Sequence, residues 1–330
     1  MSKKKVKTYS GRVWVGFDLG GTKMLAKVFN DDYQTLGKSK QKTQGAKGSE
    51  AGLSRMESVI EEALEDAGAK PSQIAGIGVG CPGPINPETG TLVEAPNLGW
   101  RNVPIEDTIG EAFDCRAVIC NDVDAGVYAE YEEGAARESR CAVGIFPGTG
   151  IGAGAVINGK MLQGASLSCM ELGHIPLFPE TSGHGEDGTT LEMECSRLKI
   201  ATDAARAAYR GLAPNLLSSC GTNISKITSG KLAAAIEAGD EEIEHIVRRS
   251  ASLLGCGVAT IVHLMAPDVI VLGGGLVEAM PHIYLDTVRQ ATQDRVLNTY
   301  KDSFRIVAAE LEDDAGVLGA AAWARKVIEG

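Results

Sequence analysis

Asp18-Leu19-Gly20-Gly21-Thr22-Lys23 joins two runs of strand-forming residues, Arg12 to Leu19 and Lys23 to Asn30, and its reading decides the rest of the chain. Gly-Gly is a common two-residue hairpin connection, so the bare pattern predicts antiparallel strands. The residues in the turn add chemistry. Two glycines let backbone N–H groups approach phosphate oxygens, Thr22 adds a hydroxyl, and Lys23 adds a positive charge. Asp18 can reach a phosphate-bound Mg²⁺ through water. Taken alone, the segment fits an ordinary turn and a nucleotide-phosphate loop equally well. It is not a Walker A loop, since GxxxxGK[ST] occurs nowhere in the chain.

Working outward, Tyr33 to Lys40 reads as a third, more polar strand after the turn residues Asn30-Asp31-Asp32. Ser49 is the expected N-cap of a helix running to Ala67. Leu53, Met56, Val59, Ile60, Ala63 and Leu64 recur there at three- and four-residue steps, and Gly68 stops it. A buried strand, Ile74 to Gly80, ends at Cys81-Pro82-Gly83-Pro84. A helix near Pro104 to Phe113, a strand Ala117 to Cys120 and a helix from Asp122 to about Ala136 follow.

The opening pattern then returns. Cys141 to Phe146 and Ile151 to Ile157 read as strands around a Gly-rich turn, with Lys160 to Gln163 as a short third. Helices are expected over about 191–210, 229–238 and 240–266, a strand at Asp268 to Leu272, a helix near 281–293, a strand Arg305 to Ala309 and a last helix from Ala315 to Lys326. This is a duplicated α/β architecture with a boundary near Gly134 to Arg140.

A chain of 330 residues exceeds what one core usually supports, consistent with two domains of about 100–200 residues. Its 44% hydrophobic and 23% charged residues exclude a disordered or fibrous protein. The net charge of −11 opposes nucleic-acid binding. The one basic run, Lys3-Lys4-Lys5 with Lys7, lacks an apolar stretch behind it and so is no secretory signal. No segment has the roughly 18–20 apolar residues of a membrane span, so a cytoplasmic protein is expected. Eight scattered cysteines without a CxxC pair read as reduced thiols, most of them small core residues.

Three further segments carry chemistry. Gly148-Thr149-Gly150-Ile151-Gly152 follows a strand but precedes another strand, which rules out a dinucleotide fingerprint and suits a second phosphate hairpin. Gly273-Gly274-Gly275 closes a buried strand and could border a flat adenine, or simply allow tight strand-to-helix packing. Asp122 stands where a strand meets a helix, as a helix cap or as a catalytic carboxylate.

These segments, together with Gly76-Ile77-Gly78-Val79-Gly80-Cys81-Pro82-Gly83-Pro84, Ala95-Pro96-Asn97-Leu98-Gly99-Trp100, Asn121-Asp122, Glu171-Leu172-Gly173-His174 and Asp313-Asp314-Ala315-Gly316, stand in the order and approximate spacing of the ROK family of sugar kinases and repressors. From about residue 12 to 326 the chain resembles that family. The resemblance implies an α/β fold of two ribonuclease H-like domains, of the actin and hexokinase type, with an interdomain cleft. The N-terminal lobe would be 12–136, joined by the C-terminal helix 315–328, and the larger C-terminal lobe 137–314.

It also implies an ATP-dependent hexose kinase, most nearly a glucokinase, with Asp122 as the base that takes the sugar hydroxyl proton. Asn97, Asn121, Asp122, Glu171, His174 and Glu192 form the implied sugar set. Gly20, Gly21, Thr22, Lys23, Gly148, Thr149 and Gly150 would hold ATP phosphates, Gly273, Gly274 and Gly275 would border adenosine, and Asp18 would meet Mg²⁺. The expected partners are a hexose and a nucleotide, without nucleic acid or membrane, and the chain is expected to form a homodimer or higher homo-oligomer. Mannose, N-acetylhexosamine, other amino sugars, fructose or allose stay open as acceptors. Polyphosphate stays open as donor, though no concentrated basic tract supports it. A sugar-sensing repressor is disfavoured, because only about 11 residues precede Arg12 where a helix-turn-helix domain would stand.

One departure is clear. Zinc-bearing relatives carry a cysteine-rich run after the Gly-His pair, whereas this chain reads His184-Gly185-Glu186-Asp187-Gly188-Thr189-Thr190-Leu191-Glu192. No Cys₃His site can form, a His174/His184/Glu186 site is only conceivable, and no structural zinc is expected. Pro176, Leu177, Phe178 and Pro179 are expected to stiffen the segment in its place.

Overall fold

A computed structural model of the chain describes residues 8–178, 189–311 and 314–330. The first half runs β1 (Val13–Leu19), β2 (Lys23–Phe29), β3 (Thr35–Lys42), α1 (Ser49–Ala67), β4 (Ile74–Cys81), β5 (Ile85–Asn86), β6 (Thr91–Ala95), β7 (Trp100–Val103), α2 (Ile105–Phe113), β8 (Ala117–Asn121) and α3 (Asp122–Glu132). Then come β9 (Cys141–Pro147), β10 (Ile151–Ile157), β11 (Lys160–Met161), β12 (Pro176–Phe178), β13 (Thr189–Thr190), α4 (Leu191–Cys195), α5 (Arg197–Tyr209), α6 (Pro214–Cys220), α7 (Ser229–Glu237) and α8 (Glu241–Met265). The chain ends with β14 (Val269–Leu272), α9 (Gly274–Ala279), α10 (Pro281–Gln293), β15 (Arg305–Ala308) and α11 (Ala315–Glu329).

Two compact units result. The first holds the chain up to Arg137, Lys160–Cys169 and the C-terminal stretch from Asp314; the second holds the remainder. The decapeptide Lys160–Cys169 was expected in the second lobe. It packs with the first because its Ser168 N–H donates to Ile85 O (3.2 Å). With it and the C-terminal helix in the first unit, the second is not the larger of the two.

In the first unit the sheet order is β3-β2-β1-β4-β8, with β1, β2 and β3 antiparallel and β1, β4 and β8 parallel. One face is sealed by α1, whose Met56, Val59, Ile60 and Ala63 are buried against Met24, Ala26 and Val28. The other takes α11. Gly16 and Gly78 make that approach possible, because a Cβ at either would strike the helix backbone at Val317 O and Ala320 O. Gly48, not Ser49, occupies the N-cap of α1, at φ 91°, which a serine does not readily adopt.

In the second unit the strands run β10-β9-β14-β15, with β10 and β9 antiparallel and β9, β14 and β15 parallel. Val269 to Leu272 are wholly buried, as their apolar run predicts. The long helix expected over 191–210 is two helices, because Ser196 takes an extended conformation and caps α5 through Lys199 N–H. None of the eight cysteines is in a disulfide, and Cys81, Cys120 and Cys195 are buried.

Candidate active site

In the first unit, β1 hands over to β2 through Gly20-Gly21-Thr22, and Thr43 pins this turn from behind. Its hydroxyl donates to Gly20 O (2.6 Å) and its N–H to Thr22 O (3.0 Å), although sequence reading gave it no role. The turn is tight. A Cβ at Gly20 would lie 2.7 Å from Lys23 O, and one at Gly21 would lie 2.8 Å from Asn97 Nδ2. Asn97, from the expected sugar set, therefore lies against the expected phosphate turn. Trp100 anchors its loop, with its ring nitrogen donating to Gly45 O (3.3 Å) and its ring filling the space above Gly52.

Asn121 is the N-cap of α3. Its Oδ1 accepts from Val123 N–H (2.9 Å) and Asp124 N–H (3.4 Å), while its Nδ2 donates to Gly83 O (3.2 Å). Asn121 was expected to touch sugar and Asp122 was the alternative cap; in the fold Asn121 both caps the helix and clamps the Cys81–Pro84 turn. Asp122 is the first residue of the helix and half-buried, with Oδ1 accepting from Val123 N–H (2.9 Å). A carboxylate at this end faces the positive pole of the helix dipole. Beneath it Cys81 and Cys120 are fully buried, and burial pushes both thiols well above the ordinary cysteine range.

In the second unit, β9 and β10 meet at Gly148-Thr149-Gly150. The strand-then-strand context that argued against a dinucleotide fingerprint is what the fold shows. Gly148 N–H donates to Gly150 O (2.8 Å). Glu192, expected on sugar, accepts from Ile151 N–H through Oε2 (2.7 Å), and a Cβ at Gly150 would run into it. The carboxylate thus ties α4 to the hairpin. Arg197, which sequence reading missed, brings a guanidinium to the same turn: Nη2 donates to Thr149 Oγ1 (3.0 Å) and its backbone N–H to Gly148 O (2.8 Å). The only sequence signal for it was its position directly after a capping serine.

Glu171 and His174 flank a short turn and are both exposed. Gly173 between them closes on the hairpin, where a Cβ would lie 2.5 Å from Ile151 O. After it, β12 pairs with β13, Pro176 opposite Thr190, and Thr190 caps α4 by accepting from Met193 N–H (3.3 Å). Pro179, His184 and Glu186 lie outside the described residues. Among the described residues no three of His, Cys, Asp and Glu gather as a metal site. At Gly273 and Gly274 the packing alternative has support, since added Cβ atoms would meet Phe146 and Pro147 O, the latter at 3.0 Å; Gly275 is looser, 3.6 Å from Ser229 Oγ.

The ROK family model matches residues 14–327. The chain belongs to the ROK family. A glucokinase of Thermotoga maritima is 30% identical over 96% of this chain and 98% of its own. The ROK hexokinase structure from Thermus thermophilus is 31% identical with a TM-score of 0.79, covering 96% of this chain and all of that one. A ROK family glucokinase from Streptomyces griseus, solved with glucose and AMPPNP, is 26% identical with a TM-score of 0.80 over 95% of this chain and 99% of that one. Xylose repressors also occur among the relatives. The mixed α/β fold is that of the ROK hexokinases, and each unit is an actin-like ATPase-type domain. Among the described residues no helix is long and apolar enough to cross a membrane.

Proposed function

We propose that the protein is an ATP-dependent glucokinase that converts glucose to glucose 6-phosphate, with Asp122 taking the proton from the attacking hydroxyl. The observation that carries this reading is the first unit's arrangement: a glycine turn with Asn97 laid against it, and the Asp122 carboxylate at the N-terminus of α3, directly after the capping Asn121. Phosphoryl transfer is mostly positioning and electrostatics, which suits rigid turns pinned by Thr43 and Arg197. Asn97, Glu171 and His174 would meet sugar hydroxyls, with Glu192 orienting the second hairpin. Gly148 to Gly150 would take ATP phosphates and Gly275 would border the adenosine.

Mg²⁺ fits the donor set at Asp18, which lines a cavity with Gly20, Gly21, Thr22 and Lys23. When bound it would offset charge on the phosphate oxygens. The relative solved with glucose and AMPPNP supports glucose and ATP as ligands here. Mannose, N-acetylhexosamines, fructose and allose are the competing acceptors. An oligomer of identical chains in the cytoplasm, without structural zinc, completes the proposal. ADP release measured across this sugar panel with MgATP tests it. The fastest turnover is expected with glucose, and absence of sugar-dependent turnover with every hexose contradicts it.

A further inference from the structure

Pinning the second hairpin uses only part of Arg197. Nη2 donates to Thr149 Oγ1 (3.0 Å) and Nη1 to Ile227 O (3.4 Å), which leaves Nε–H and the second N–H of each terminal nitrogen. The side chain is half-buried, and among the described residues no carboxylate pairs with it. Bonds to a neutral hydroxyl and a neutral carbonyl fix a guanidinium without cancelling its charge. A positioned cation therefore stands beside the Gly148-Thr149-Gly150 turn.

That turn has the donors of an anion site and one obstacle. Gly148 N–H is taken by Gly150 O and Ile151 N–H by Glu192, but among the described residues Thr149 N–H and Gly150 N–H donate to no protein group. Thr149 is exposed, and because its hydroxyl oxygen accepts from Arg197, its own proton is left for another acceptor. The obstacle is Glu192. Its Oε2 lies against Gly150, and a carboxylate so close to the turn repels a phosphate placed there. Among the described residues Arg197 is the one cationic side chain bonded to the turn, and its charge offsets that repulsion. The bond to Ile227 reaches further. Thr228, the next residue, is the N-cap of α7, and Ser229 after it has its Oγ 3.6 Å from where a Cβ of Gly275 would stand. One guanidinium thus joins the turn expected to hold phosphates to the segment facing the glycine expected to border adenosine.

We infer that Arg197 is a phosphate ligand of the nucleotide: its remaining N–H groups donate to a phosphate of ATP seated at the turn, and its bond to Thr149 leaves that hydroxyl oriented to donate to the same phosphate. The inference rests on the kinase reading above. Arginine suits the task because its planar fork holds Thr149 with one N–H and a phosphate oxygen with another, whereas lysine presents a single point charge.

The test compares the wild type with Arg197→Gln, Arg197→Lys, Thr149→Val and the Arg197→Gln, Thr149→Val double variant. It measures KM for MgATP and for glucose, inhibition by adenosine as a competitor of ATP, and MgATP binding by calorimetry without sugar. Loss of one charge-assisted contact predicts, for Arg197→Gln, a KM and Kd for MgATP raised roughly tenfold or more, with glucose KM and adenosine inhibition within about twofold of the wild type. Arg197→Lys should recover part of the loss, and Thr149→Val should cost less in the Arg197→Gln background than alone. A folded Arg197→Gln protein with unchanged MgATP affinity overturns the inference. Equal weakening of ATP and adenosine also overturns it, since a purely structural brace would act on both, and additive losses at the two positions overturn the link to Thr149. Absence of sugar-dependent turnover in the wild type overturns the kinase reading instead, and the calorimetric titration then still decides whether Arg197 holds the phosphate.

Discussion

Replacing Asn121 by Ala removes two separable interactions. The cap on Val123 and Asp124 N–H groups is worth about 1 kcal/mol, within a usual range of about 0.5–2. The Nδ2 bond to Gly83 O, part-buried at 3.2 Å, adds roughly another 1 kcal/mol. The first unit should lose about 2 kcal/mol, and at roughly 2–4 °C per kcal/mol for a unit of this size its melting transition should fall by about 4–8 °C. Asn121→Ser keeps the cap and drops the clamp, so it should lose about half as much. Asp122→Asn retains an acceptor at Val123 N–H and should melt above Asn121→Ala. Differential scanning calorimetry of the three variants resolves the terms. Equal melting of the Ala and Ser variants would refute the cap, and a wild-type melting temperature for Asn121→Ala would refute both terms.

Gly78→Ala and Gly319→Ala each drive a methyl into backbone, at Ala320 O and Ala125 O, and should cost about 3 kcal/mol or more; soluble variants with unchanged melting would show the helix packing to be looser than described. Alkylation near pH 8 followed by mass spectrometry should leave Cys81 and Cys120 unmodified in the native protein while partly exposed Cys220 reacts, since the thiolate is the nucleophile and burial disfavours it; comparable rates at all three would contradict this. The protein should purify without stoichiometric zinc, and a zinc chelator should leave glucose turnover unchanged with Mg²⁺ in excess. Elemental analysis finding one zinc per chain, with activity lost on its removal, would point to a rebuilt site at His174, His184 and Glu186.

The repeated strand, glycine turn and strand pattern was legible because alternating and continuous apolar runs such as Val13 to Leu19 and Val269 to Leu272 signal buried strands without any tertiary information. What escaped depends on partners distant in sequence. Glu192 and Ile151 are 41 residues apart, so the bond by which Glu192 braces the hairpin has no local signature. Asn121 and Asp122 are adjacent, and only the extended backbone at Asn121 (φ −66°, ψ 147°) decides which of them caps. Lys160 to Gln163 reads as a short third strand of the second meander, yet the segment Lys160–Cys169 belongs to the first unit. For Gly273 and Gly274 the close packing depends on Phe146 and Pro147, which lie far earlier in the chain and leave no local signature.

The central claim is that Asp122 performs proton transfer in a glucose kinase, and the most direct measurement compares wild type with Asp122→Asn in a coupled ADP-release assay, with glucose binding followed separately by calorimetry. The account predicts glucose-dependent turnover in the wild type, a fall of roughly 10²–10⁴-fold in kcat for the variant, and glucose binding retained. Near-normal turnover of a folded Asp122→Asn protein would contradict it.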